Sequence, residues 1–348
     1  MDPAGVFATS FGADAALIRT RKQWMALGLF LLLLIALPWL VGPRLLAILT
    51  VMLISSVVAV GLQINTGYAG QINLGQAAFM GVGAYVAGPL AAGWALPFWL
   101  TIPLGGLAAA AFGFAFGLSA VRIKGFYLAL TTIAAQSLFH FSILNLPWFG
   151  GSNGVTLAPA SLFGLELSSD RSLYYLCLVL TTVMIYGAFG IVRGRHGRAF
   201  VAVRDDDVAG GMMGINVVRT KATAFLVGAF YAGIGGAMWA YFVRFVAVDQ
   251  FTLFHSIWFI AMIIVGGMGS ITGALVGVFV IKAIQEAFVT LGPPLVSYIP
   301  FLGGDIVYSA MNVFLGGVIA AFLIFEPRGL MHRWNIVKQS YRMWPFPY

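Results

Sequence analysis

Polar residues are sparse along this chain, and where they occur they cluster. Between the clusters run ten near-continuous apolar stretches, at 24–41, 45–64, 74–90, 98–121, 126–146, 172–192, 222–243, 254–265, 271–290 and 306–325. Most come close to the ~20 residues with which an α-helix crosses a hydrocarbon core of ~30 Å. Barrel strands would alternate in pieces of about ten residues, which is not the pattern here. The expectation is an all-α, polytopic transmembrane bundle of about ten helices. The run at 254–265 is short for a full crossing and reads as a half-helix packed on its neighbour.

The polar clusters divide the chain. Residues 1–23 form a polar N-terminal segment ending in Arg19, Arg21 and Lys22; 24–325 is the membrane domain; 326–348 is a basic tail. A basic region followed by leucines is also how a cleaved signal peptide begins, but only Gly42, Pro43 and Arg44 follow this run, with no small-x-small site, so a retained first helix is the reading. With the N-terminus placed inside and the helices alternating, fifteen of the nineteen Lys and Arg fall on the inner side; Arg44, Arg171 and Arg244 fall outside and Lys282 within a span. That bias predicts that both termini and the central 193–221 segment are cytoplasmic.

Composition sharpens this. The chain is 61% hydrophobic and 9% charged, whereas soluble domains carry about 25% charged residues. The net charge of +8 is explained by basic residues beside cytoplasmic helix ends, so no nucleic-acid partner is inferred and the surrounding partner is membrane lipid. A single cysteine, Cys177, rules out a disulfide within the chain. Glycine is abundant: 43 residues, about 12% against a usual ~7%. Gly269, Gly273 and Gly277 recur at i, i+4 and i+8 and predict a smooth stripe on one face of the ninth span, which places that span near the bundle centre. Gly113 and Gly117 repeat the spacing once.

Candidate chemistry is thin. Lys282 and Glu286 stand four apart on the ninth span and read first as a structural pair, although the base-before-acid order is the weaker one. His140 and His255 read as packing residues. No metal-ligand spacing, catalytic triad or phosphate-binding G-x-x-x-x-G-K-[ST] loop occurs, so no catalytic, metal or cofactor residue is assigned in this chain. Carboxylates are scarce within the spans, which argues against a proton- or sodium-coupled carrier. Transport by this chain is then passive or energised by a separate subunit.

Two glycine-rich segments interrupt the apolar pattern, QINTGYAGQINLGQ at 63–76 and VGGMGSITG at 265–273. Backbone freed from helix at membrane depth must be buried in protein or line a watery cavity, and paired interruptions point to a substrate route. A tight turn between antiparallel helices is the plainer alternative, favoured for the second segment. Asn65, Tyr68, Gln71, Asn73 and Gln76 are the candidate wall residues of a path. In the central segment, 198–203 and 206–213 each suit a short helix, with Asp205, Asp206 and Asp207 at an N-terminus and Gly214 ending it before Ile215 and Asn216. A short mixed-charge helix of this kind can wedge into a groove on a soluble partner. Charge alone does not separate that role from a solvated, orienting loop.

The central segment together with most of the next span, GRAFVAVRDDDVAGGMMGINVVRTKATAFLVGAFYAGIGGAMWA at 197–240, resembles the signature of permeases from branched-chain amino-acid ABC importers. YAGQINLGQAAFMGVGAY at 68–85, GFYLALTTIAA at 125–135 and GGMGSITGALVG at 266–277 agree in order, so the resemblance runs from about 45 to 330. The length and extended N-terminus are more similar to the M-type subunit than to the shorter H-type. The resemblance implies a translocation pathway in the bacterial inner membrane, a second homologous permease, two ATP-binding subunits that hold ATP and Mg, and a periplasmic solute-binding protein. It also implies that 197–216, with Arg198, Arg204, Asp205, Asp206, Asp207, Gly214, Ile215 and Asn216, couples to the ATPases. Two departures stand out: three aspartates replace a mixed acidic run, and Gln76 stands where a histidine often follows the Leu-Gly pair. Urea or short amides, or a small carboxylate or aromatic acid, are the alternative cargoes; an ATP-independent carrier or channel is the alternative class.

Overall fold

The computed structural model describes residues 21–343 except 95, 120–122, 124, 147–150, 158, 163–164, 167–168 and 299–303. The expected 1–23 segment therefore lies largely outside the described residues, as do Arg122 and Lys124.

Each of the ten apolar runs is a helix: α1 (Arg21–Leu40), α2 (Pro43–Leu62), α3 (Gln76–Gly93), α4 (Phe98–Ser119), α5 (Phe126–Asn145) and α6 (Asp170–Arg193) lead to two short helices, α7 (Arg195–Asp205) and α8 (Asp207–Met212). Then come α9 (Val217–Val243), α10 (Leu253–Gly266), α11 (Ile271–Tyr298), α12 (Gly304–Phe325) and a tail helix, α13 (Leu330–Met343). Eight helical stretches among the described residues are long and apolar enough to cross a membrane. The apolar side chains of α1, including Trp24, Leu29, Phe30 and Leu32, are mostly exposed, as a helix facing lipid requires. It is tied to α6 where Tyr174 and Tyr175 donate to the carbonyls of Leu34 and Ile35, each at 2.9 Å.

The centre of the bundle is α9, the seventh long span, and not the ninth as the glycine stripe suggested. Its small residues let backbones touch. A Cβ on Gly236 would fall 1.8 Å from the Met80 carbonyl oxygen of α3, one on Gly233 2.4 Å from Ala109 Cβ of α4, and one on Gly228 3.0 Å from the Gly61 carbonyl of α2. Where lipid removes the hydrophobic drive between helices, such contacts carry the association by van der Waals packing. Gly113 and Gly117 serve the same end, facing Ala229 and Phe225 of α9.

The stripe on α11 is shorter than expected. Gly273 and Gly277 face Gly266 and Met262 of α10, but Gly269 precedes the helix, in a turn at φ +82° beside Gly267 at +116°. A side chain is disfavoured at those angles, so the i, i+4, i+8 spacing conflated a turn with a face. Gly329, after α12, packs onto this turn, its Cβ position 2.4 Å from Gly267 Cα.

The opposite end of the bundle holds what periodicity did not reveal. β1 (Val155–Thr156) pairs antiparallel with β4 (Phe245–Val246), which follows α9, and β2 (Ser161–Leu162) pairs with β3 (Leu165–Glu166). Two-residue strands are too short for an alternation signal. The β1–β4 pair ties the loop between α5 and α6 to the end of α9, and β2–β3 is a pairing within that loop.

Candidate functional site

At the end of α2 the chain does not break. It continues as a π-helical turn (Gln63–Tyr68), seen in the i→i+5 bond from Ala69 N–H to the Ile64 carbonyl, and then runs without regular structure to Gly75. π-turns inside helices recur at functional sites. Here the turn brings amides from several helices together. Gln63 Nε2 donates to the carbonyls of Gly267 and Ser270, both at 3.1 Å, so the two glycine-rich interruptions meet in space. Gln76 Nε2 donates to Val58 of α2 at 3.0 Å, with Gly228 of α9 at 3.5 Å, while its Oε1 accepts from Asn73 Nδ2 at 2.8 Å. Asn73 Oδ1 accepts from Gly75 N–H, and Ser256 Oγ of α10 accepts from Ala77 N–H, satisfying donors at the start of α3 that the helix cannot.

Asn65, Gln71, Asn73 and Gln76 are therefore brought together, buried at the foot of α2, with Tyr68 half-buried beside them. Both side-chain atoms of Asn65 and of Gln71, and Oε1 of Gln63, have no protein partner. Buried amides are normally satisfied, so unpaired ones call for an explanation beyond packing. Gln71 also lines a cavity of about 310 Å³ with Arg204, Asp205, Asp206, Asp207 and Lys221.

That cavity joins the amide cluster to the α7–α8 elbow. Asp206 takes extended angles between the two helices, and its carboxylate accepts from Val208 and Ala209 N–H at 2.9 and 3.1 Å, capping α8. α8 ends in a Schellman turn: Gly214 at φ +84°, Gly214 N–H to the Gly211 carbonyl, Ile215 N–H to that of Gly210. Asn216 Oδ1 then accepts from Arg219 N–H and caps α9. Asp207 pairs with Lys221 Nζ at 3.1 Å, their side chains only 20% and 9% exposed. Arg204 Nη1 donates to the Gly67 carbonyl of the π-turn at 3.1 Å, while Nε and Nη2 hold Asp205 Oδ1. Gly70 leaves room for its stem, since a Cβ there would lie 2.5 Å from Arg204 Cγ. Arg198 is held within the elbow by the Arg193 carbonyl. Outward, Val208, Met212 and Met213 are 64%, 80% and 86% exposed, an apolar edge on a charged loop.

The expected Lys282–Glu286 pair does not form. Glu286 Oε1 takes Arg44 Nη2 from the start of α2 at 2.6 Å, and Arg44 also donates to Thr290. The base-before-acid spacing competes poorly with a guanidinium arriving from another helix. Glu326 pairs instead with Arg333 of α13, in a turn that sequence left as tail. No cluster of three or more His, Cys, Asp or Glu able to hold a metal occurs among the described residues.

A lipid-facing bundle around a glycine-packed central helix, with a polar interruption opening towards an exposed helical elbow, defines a polytopic membrane permease. The model of the branched-chain amino acid transport system permease component matches residues 44–323, and the chain belongs to that family. It is 30% identical over 337 residues to the high-affinity branched-chain amino acid transport system permease protein LivM of Escherichia coli, covering 90% of this chain and 76% of that one. BraD of Pseudomonas aeruginosa, also a high-affinity branched-chain amino acid transport permease, is 25% identical, covering 81% of this chain and 93% of the relative. The autoinducer 2 import permease LsrC of an Enterobacter strain is 25% identical over 47% of this chain. No solved structure matches the chain.

Proposed function

We propose that this chain is one permease subunit of an ABC importer that carries branched-chain amino acids across the bacterial inner membrane. A second homologous permease completes the pathway, two ATP-binding subunits dock on the cytoplasmic side, and a periplasmic solute-binding protein delivers cargo. The charged end of the bundle, with the α7–α8 elbow and both termini, faces the cytoplasm. Asn65, Tyr68, Gln71, Asn73 and Gln76 border the path near its inner end; the unpaired amides of Asn65 and Gln71 support that placement.

The observation that carries this reading is the elbow. Val208, Met212 and Met213 are exposed on one side of it, where a partner can dock. On the other, Arg204 grips the π-turn and Asp207 grips α9 through Lys221. A push on α8 is therefore transmitted to the foot of α2 and to the central helix. A nucleotide-driven partner moves the equilibrium only as far as it distinguishes the two states, and this linkage is the route by which such a difference reaches the bundle.

The test is coupled transport in proteoliposomes holding the full complex and its binding protein. Arg204→Glu with Asp206→Lys is expected to lower ATP-driven leucine uptake at least about tenfold, the scale of losing two charge-assisted contacts, while complex yield is retained. Undiminished, fully coupled uptake by that variant would sink the docking role.

A further inference from the structure

A second cavity, of about 510 Å³, lies between α2, α10 and α11, away from the elbow. Its size falls in the range of small-molecule sites, roughly 300–1,000 Å³. The walls are mostly apolar and aromatic, with Val51 of α2 and Trp258, Phe259 and Met262 of α10 among them, and Gln285 and the Arg44-bound Glu286 of α11 also line the space. Into this space Lys282 of α11 brings an ammonium, with His255 beside it. Lys282 stands eleven residues into α11. At 1.5 Å per residue that is a rise of about 16 Å from the start of the helix, within its apolar span of residues 271–291. Its one acidic neighbour along the helix, Glu286, is taken by Arg44, and no hydrogen bond or ion pair to the Lys282 ammonium is formed among the described residues. An intramembrane charge left without a counter-ion is costly and marks a functional group.

We propose that this cavity is a transient cargo site for a small carboxylate with an apolar body: Lys282 takes the carboxylate, and Trp258, Phe259 and Met262 take the hydrocarbon side chain. The Arg44–Glu286 pair keeps Lys282 available by withholding the carboxylate that stands one helical turn away. For a branched-chain amino acid this deepens the transport reading and rests on it, but the site itself is defined by the acid group and the apolar wall.

Saturation-transfer NMR on the purified complex in nanodiscs, without the binding protein, tests the site with L-leucine, 4-methylpentanoate and leucinamide as probes. The two carboxylates are expected to receive magnetisation at their methyl groups, and leucinamide at least about tenfold less. Lys282→Met is expected to weaken leucine binding by a similar factor and to treat acid and amide alike, while Lys282→Arg keeps the preference. Equal signals for acid and amide in the native complex, or a retained preference in Lys282→Met, overturn the proposal. Should Lys282→Met fail to assemble, Val51→Phe, which fills the cavity from α2, decides: lost binding of all three probes supports the site, and unchanged binding overturns it. ATP-driven leucine uptake is read separately. A complex that moves no leucine yet prefers 4-methylpentanoate to leucinamide keeps the site and replaces the cargo.

Discussion

Gln76 shows how much one side chain can hold. Its amide spans α2 and α9 and completes the hydrogen bonding of Asn73, all out of contact with water. Gln76→Leu keeps the volume but leaves the Asn73 side-chain N–H without its acceptor, a cost of about 1–3 kcal/mol for a buried group, while the Val58 carbonyl loses only its second donor. A lowered melting temperature of the detergent-purified protein is the expected outcome; an unchanged one would mean that water satisfies that donor. The resemblance implies that a histidine often stands at the position of Gln76. A histidine has one donor and one acceptor when neutral, so it can keep only part of this bonding. The sequence flagged Gln76 as unusual but not what it touches, because Val58 and Gly228 lie far away along the chain. Lys282 and Glu286 teach the same lesson: i, i+4 spacing makes a pair possible, and Arg44, brought in by α2, takes Glu286 instead.

At the scale of elements, α9 is organised by residues it lacks side chains for. Gly236→Ala drives a methyl to within 1.8 Å of the Met80 carbonyl, and overpacking of a close helix contact costs about 1–3 kcal/mol or more. Gly28 of α1 has nothing within 4 Å of the same position. Thermal-stability profiles by fluorescence size exclusion are therefore expected to show a clear loss for Gly236→Ala and none for Gly28→Ala. Equal behaviour of the two would contradict the central place of α9. The elbow was readable in advance because its signals are local: an aspartate run to cap and a glycine to stop. The π-turn was not, since QINTGY looks the same whether it turns tightly or continues α2 with a wider bond pattern. What decides is the Gln63 amide, which finds its acceptors on the α10–α11 turn.

For the whole molecule, charge and fold agree on two distinct ends. One gathers the elbow, the π-turn, the α10–α11 turn and the turn before α13; the other carries the β1–β4 pairing. The lone cysteine is buried, which makes the native chain a clean background for labelling. Met213→Cys is expected to react with an impermeant maleimide only from the cytoplasmic side, and Thr156→Cys only from the exterior. Reaction of Met213→Cys from outside would reverse the topology and remove the docking role with it. The aqueous faces are small, and most of the exposed apolar surface belongs to helices such as α1 that face lipid.

The sequence by itself determined that this chain lives in a bilayer, that its ten apolar runs are helical, and that its charge collects at one end. Those properties follow from runs of apolar residues and from local caps, and neither needs a partner far along the chain. Which helix lies at the centre, that Gly269 turns rather than packs, that the two glycine-rich breaks share a hydrogen-bonded junction, and that Lys282 faces a cavity without its neighbouring glutamate were decided only by the tertiary structure. Each depends on which surfaces meet, and spacing along one helix cannot encode the residue that another helix delivers to it.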